Sequence, residues 1–186
     1  FTALALVMWA PLDLQAGANG DSGPPIEGQV QNYEPLDAPL AFPDVTVLAQ
    51  EDGPVTLDRF KGKFVVLNFW ATWCGPCIRE LPSLDRLNTE LGGEKAQVVL
   101  ISQDRGGFKQ TDRFLKKLKV DFPDNFIDER LKLSRAIGVV SLPTTVLIDA
   151  DGMEVGRLIG AAEWDSPEAL ELVNWYVERA GGKSGS

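Results

Sequence analysis

Phe64-Val65-Val66-Leu67-Asn68-Phe69-Trp70-Ala71-Thr72-Trp73-Cys74-Gly75-Pro76-Cys77 carries an apolar run straight into a Cys-x-x-Cys motif. Residues 64–70 are apolar apart from Asn68, which reads as a central strand buried on both faces. Gly75-Pro76 puts a proline in the first turn of a following helix, and Leu91-Gly92-Gly93 supplies a glycine stop. The two cysteines therefore sit where strand passes into helix. A thiolate is favoured at that point by free N–H groups and the helix dipole. Cys74 takes the helix end, Cys77 lies one turn inside, and two intervening residues let the sulfurs bond when oxidised. Cys74 is expected to attack a substrate disulfide and Cys77 to resolve the mixed disulfide. Gly75 leaves room for a partner's backbone; Pro76 fixes the first turn and influences the redox potential. A static structural disulfide would close too small a loop to constrain the unfolded chain much. Half of a metal site would lack its other ligands.

Outward from this junction the chain alternates strand and helix signals. Val45–Leu48 and Val55–Leu57 read as short strands around the turn Glu51-Asp52-Gly53, an N-terminal hairpin. Val98–Ser102 is a second buried strand, followed by a helix through Phe108, Thr111, Phe114, Leu115 and Leu118. Glu129–Ile137 reads as a short helix stopped by Gly138. Thr144–Ile148 and Glu154–Ile159 pair across Asp149-Ala150-Asp151-Gly152, and Ser166-Pro167-Glu168 opens a last helix. The pattern predicts an α/β domain with a mixed central sheet flanked by helices.

Composition narrows the chemistry. The 186 residues contain two Cys and no His, which excludes Ser–His and Cys–His catalytic pairs, His-based zinc sites and c-type haem attachment. A net charge of −9 argues against nucleic acid and against an anionic membrane surface. Nine acids precede the first base, Arg59, and from there on bases and acids balance at 18 each. Phe1–Leu12 is apolar except Thr2, and too short to cross a bilayer, which takes about 20 residues. Residues 1–14 are read as the remnant of an export signal or membrane anchor. Residues 15–37 are read as an acidic flexible linker, 38–180 as the domain, and 181–186 as a disordered tail.

Several further positions carry a functional and a plainer reading. Glu80 lies three residues after Cys77 on the same helix face. Partly buried there, it would have a raised pKa and accept the Cys77 proton during resolution; otherwise it is a solvated helix acid paired with a base. Asn68 must be buried and hydrogen-bonded, in a structural or a supporting catalytic role. Trp70 reads as core, and Trp73 as an apolar rim for the partner. Lys116, Lys117 and Lys119 read as complements to the C-terminal end of their helix rather than as a docking patch.

Asn68-Phe69-Trp70-Ala71-Thr72-Trp73-Cys74-Gly75-Pro76-Cys77 with Glu80, Leu81 and Pro82 resembles the thioredoxin superfamily. The Cys-x-x-Cys-x-x-Glu-x-Pro extension is similar to its TlpA/ResA-like branch of exported, membrane-tethered proteins. Ala38-Pro39, Phe60-Lys61-Gly62-Lys63 and the insertion carrying the strand at Val98 and helix at Phe108 also fit. Gly160-Ala161-Ala162-Glu163-Trp164 is most similar to TlpA-type members.

The resemblance implies a thioredoxin fold with an N-terminal hairpin and a strand–helix insertion. It implies a cis Leu142–Pro143 bond facing the dithiol, with both residues aligning substrate backbone; alone, this Pro would read as an ordinary first strand residue. At the Asn68 position many thioredoxins carry a buried Asp, so here Glu80 is the carboxylate able to ionise. It further implies a monomeric, periplasmic thiol:disulfide oxidoreductase, tethered only through an N-terminal anchor, without metal or organic cofactor. A membrane electron donor would recharge the dithiol. Its expected substrates are disulfides of a metallochaperone or oxidase subunit in copper-centre assembly, or of an apocytochrome c in haem attachment. A peroxidase or a copper-binding module are the remaining, weaker alternatives.

Overall fold

Phe64–Trp70 forms strand β4, and every one of its residues is buried. The computed structural model describes residues 23–182, and β4 is the middle of its one eight-stranded sheet. The other strands are β1 (Tyr33–Ala41), β2 (Val47–Ala49), β3 (Gly53–Val55), β5 (Ala96–Ser102), β6 (Asn125–Ile127), β7 (Thr144–Ile148) and β8 (Met153–Ile159). Their spatial order is β1-β8-β7-β4-β5-β6-β2-β3. β4 runs parallel to β5 and antiparallel to β7, so the sheet is mixed, as the alternating pattern predicts. The helices are α1 (Gly75–Leu91), α2 (Gly107–Leu118), α3 (Lys132–Ala136) and α4 (Pro167–Gly182).

Alternation along β4 divides the core. Phe64, Val66 and Trp70 join Leu81, Leu84 and Leu87 of α1, Leu115 of α2, and Leu172 and Val173 of α4. Val65, Leu67 and Phe69 pack on the other face with Val47, Phe60, Phe126 and Leu133 of α3. Asn68 belongs by this period to the α1 face, which is what aims its amide at that helix. α1 continues unbroken through Pro82 and stops at Gly92 with φ +66°. Ser166 caps α4 by accepting the Ala169 N–H at 3.2 Å.

The reading of residues 15–37 as linker needs correction over its C-terminal part. Gly28–Val30 form a 3-10 turn, Tyr33–Ala41 pair with β8, and Val30 and Tyr33 are buried. The Tyr33 hydroxyl donates to that of Tyr176 at 2.9 Å. An edge strand is held through its backbone and needs few apolar side chains. Here Pro35, Pro39, Glu34 and Asp37 also block further pairing. Gly156 of β8 permits the contact: a Cβ there would stand 2.2 Å from the Tyr33 hydroxyl and 2.7 Å from the Glu34 carbonyl.

The expected helix over Glu129–Ile137 is instead a 3-10 turn, Glu129–Leu131, followed by α3. Arg130 and Leu131 separate the two with φ of +58° and +57°. β6 is an additional short strand beside β5. The tail assigned to residues 181–186 begins too early, since α4 runs through Gly182; residues 183–186, the anchor at 1–14 and residues 15–22 of the linker lie outside the described residues.

Candidate active site

β4 ends at Trp70, and Ala71-Thr72-Trp73 turns the chain into α1. Cys74 is the residue capping α1: its Sγ accepts the Cys77 N–H at 3.2 Å. Cys74 and Cys77 are joined as a disulfide with Cα atoms 5.3 Å apart. Cys77 is fully buried, whereas Cys74 keeps 5% exposure and lines a surface groove. Once reduced, Cys74 is the accessible thiol, and the free N–H groups of α1 favour its anion.

One groove gathers most of the expected contact residues. Trp73, Cys74, Gly75, Pro76 and Leu142 line it, and the Leu142–Pro143 bond is cis. Trp73 is 68% exposed, so its ring is free to meet a partner. Cys77, Glu80 and Asn68 lie behind the groove, out of solvent.

Glu80 is 1% exposed. Its Oε1 accepts the Asn68 amide at 2.8 Å and its Oε2 the Ala162 N–H at 3.2 Å. Burial raises its pKa from 4.5 to about 7. The hydrogen bonds from Asn68 and the Ala162 N–H pull the value down less than burial lifts it, and Glu163 adds a small upward push. A carboxyl poised near neutrality, three residues after Cys77 on the same helix face, suits proton transfer at that pH. Asn68 also donates to Thr145 Oγ1 at 2.9 Å, which ties β4 to the strand that follows Pro143. Ser83 donates to the Glu80 carbonyl at 2.7 Å and accepts the Trp164 N–H at 3.0 Å. The Gly160–Trp164 segment thereby closes over the carboxylate.

Two residues were not singled out from sequence. Asp104, buried just beyond β5, accepts from Thr72 twice, at N–H (2.9 Å) and Oγ1 (2.7 Å), and so fixes the turn ahead of Cys74. It also accepts from Ser102 Oγ at 2.9 Å and Gln110 Nε2 at 2.8 Å. Its place beyond the carboxyl end of a parallel strand is where α/β sheets put functional groups, and was the available signal. Val140, 90% exposed on the loop before the cis bond, extends the apolar rim opposite Trp73.

Fold and dithiol together define a thioredoxin-fold protein with a Cys-Gly-Pro-Cys redox pair. The Redoxin family model matches residues 38–173. A thiol-disulfide oxidoreductase ResA of Bacillus cereus is 31% identical over 134 residues, 72% of this chain and 76% of the relative. A ResA of Bacillus anthracis is 34% identical over the same share of each chain. Among solved structures, a thiol:disulfide interchange protein DsbE of Chlorobium tepidum has 28% identity and a TM-score of 0.64, covering 78% of this chain and 98% of the other. The chain belongs to the Redoxin family, as a TlpA/ResA-like member of the thioredoxin superfamily and a thiol-disulfide oxidoreductase of ResA/DsbE type.

Proposed function

We propose that this protein works outside the cytoplasm as a reductant of disulfides in partner proteins. The observation that carries the reading is the pairing of a groove-lining Cys74 with a fully buried Cys77 and a buried Glu80 whose pKa is raised to about 7. In the reduced enzyme the Cys74 thiolate attacks a substrate disulfide. One substrate sulfur leaves as a thiolate and the other is held in a mixed disulfide. Glu80 takes the Cys77 proton, and the Cys77 thiolate attacks Cys74 Sγ. The second substrate thiolate departs, and Cys74–Cys77 is left oxidised. No metal or organic cofactor enters these steps, and a membrane electron donor returns two electrons to the pair. Trp73, Gly75, Pro76, Leu142 and Pro143 hold the substrate backbone; Asn68 orients Glu80.

Within that activity the substrate is assigned to copper-centre assembly, a metallochaperone or an oxidase subunit. The support is the similarity of Gly160–Trp164 to TlpA-type members, now seen to close over Glu80. A second reading, reduction of apocytochrome c, is favoured by the relatives that bear the name ResA. An extracytoplasmic site, with an N-terminal anchor and a monomeric state, is part of the proposal; a similar fold occurs in a secreted thiol-disulfide isomerase of Corynebacterium glutamicum. Trapping tests the cysteine roles and names the partner. Cys77→Ser should accumulate a mixed disulfide with the partner, identifiable by mass spectrometry from the native compartment, and Cys74→Ser should capture nothing. Turnover of a peptide disulfide by Cys77→Ser at the wild-type rate would refute the assigned roles.

A further inference from the structure

The groove at Cys74 does not end at Trp73. Past Gln103 and Arg135, which it shares with a second depression, it opens onto a surface lined by Arg105 and Arg130. That surface continues through Gln110 to one side of α2, where Lys109, Arg113 and Lys117 stand above Thr72. All six of these cations are exposed. The ion pairs among the described residues, Arg59–Asp52, Lys61–Asp58, Arg86–Asp165 and Arg157–Glu154, use none of them.

The acids along the same path are mostly turned inward. Asp104 is consumed by Thr72, Ser102 and Gln110, and Asp128 accepts the Leu133 and Ser134 N–H groups at the start of α3. Glu129 is the one exposed acid of the lining. The track is therefore strongly cationic in a chain whose net charge is −9.

Two local features accompany the track. Lys109, Arg113 and Lys117 recur every four residues, a spacing at which like charges weaken a helix. Arg130 and Leu131 both hold left-handed backbone, which side chains disfavour, and Arg135 Nη1 then donates to the Arg130 carbonyl at 2.9 Å.

The geometry points to a docking track for an acidic segment of the substrate protein, lying to one side of the substrate's cysteine. Apolar contacts to Trp73 and Val140 would hold the residues around the disulfide; the cations would read the acidic flank. A protein is the fitting occupant, rather than a phosphate polymer, because the track begins at a dithiol that acts on protein disulfides. This rests on the oxidoreductase reading, so binding is tested apart from chemistry.

Two labelled peptides are compared with the oxidised full chain, identical except for four Asp or four Ser on one side of a cysteine replaced by Ser. By fluorescence anisotropy the Asp peptide should bind about tenfold more tightly than the Ser peptide at low salt, and the preference should fade as salt rises. The variant Lys109→Glu/Arg113→Glu/Lys117→Glu should reduce the preference to less than about twofold. Arg105→Ser/Arg135→Ser, on other elements, should reduce it too, so one misfolded variant does not decide the matter. Equal binding of the two peptides, or a preference that survives both variants, overturns the track. So does an oligonucleotide of equal charge that displaces the Asp peptide at the same concentration. Failure of the reduced wild type to act on disulfide-bearing forms of these peptides would count against the oxidoreductase reading and leave the binding result standing.

Discussion

Replacing Glu80 by Gln isolates the energetics of the buried carboxyl. Its pKa moves from 4.5 to about 7 on folding, chiefly through loss of water. The folded state thus holds this proton more tightly than the unfolded chain. The stability so gained is complete below pH 4.5, declines as pH rises toward 7, and is absent above. At about 1.4 kcal/mol per tenfold change in proton affinity, the decline amounts to about 3 kcal/mol. Gln does not titrate, so Glu80→Gln should lack this decline while keeping the side chain's shape. Urea unfolding of the oxidised protein is the assay, because the disulfide keeps both cysteines from titrating. The stability difference between wild type and variant should shift by about 3 kcal/mol from about pH 4 to about pH 8, in the variant's favour at the high end. Taking the difference cancels every other titrating group. A difference that stays constant across the range would refute the raised pKa and, with it, the poised proton acceptor.

Three further outcomes follow from contacts described above. Asn68→Ala removes a hydrogen bond that lowers the Glu80 pKa, so the midpoint of the same pH dependence should move higher; a downward move would contradict the contact at 2.8 Å. Asp104→Ala strands the Thr72 N–H and the polar groups around it, at a cost of about 2–3 kcal/mol. Amide exchange at Thr72 should accelerate more than exchange in β7, and uniform protection would count against the positioning role. Gly156→Ala forces a methyl against Tyr33 and the Glu34 carbonyl, so it should cost about 1–3 kcal/mol and loosen β1; an unchanged melting temperature would mean β1 is not held there.

What was legible in the sequence was local. β4 could be read because a strand buried on both faces is a continuous apolar run, and α1 because Pro and Gly mark its ends. Glu80 was found by helix spacing from Cys77, a distance of three residues. Its setting was hidden, since the Ala162 N–H reaches it from beyond β8, and no local pattern encodes that approach. β1 was missed for a different reason. Backbone pairing and two aromatic hydroxyls hold it, so its Pro-rich, acidic sequence still resembles a linker. The left-handed pair Arg130–Leu131 has no sequence sign, because neither residue type favours that conformation. The cationic track was invisible in a summed charge: its members come from the segment after β5, from α2, and from α3 with the turn before it, and only the fold brings them to one face.

Strand register also fixes which end of the sheet the start of β1 shares with the dithiol. Tyr33 stands opposite Leu158, Leu158 opposite Thr145, and Thr145 opposite Asn68. The first residue of β1 is thus level with the carboxyl-terminal half of β4, the end that leads to Cys74, and β1 runs away from it toward Ala41 and Met153. The turn Gly28–Val30 ahead of β1 stays on the body, with Val30 buried and Gly28 against Glu168 in the first turn of α4. The stretch that reads as linker therefore ends packed beside the reactive end of the sheet, and cutting the chain back past Val30 would open the body next to α4 rather than shorten a free tether.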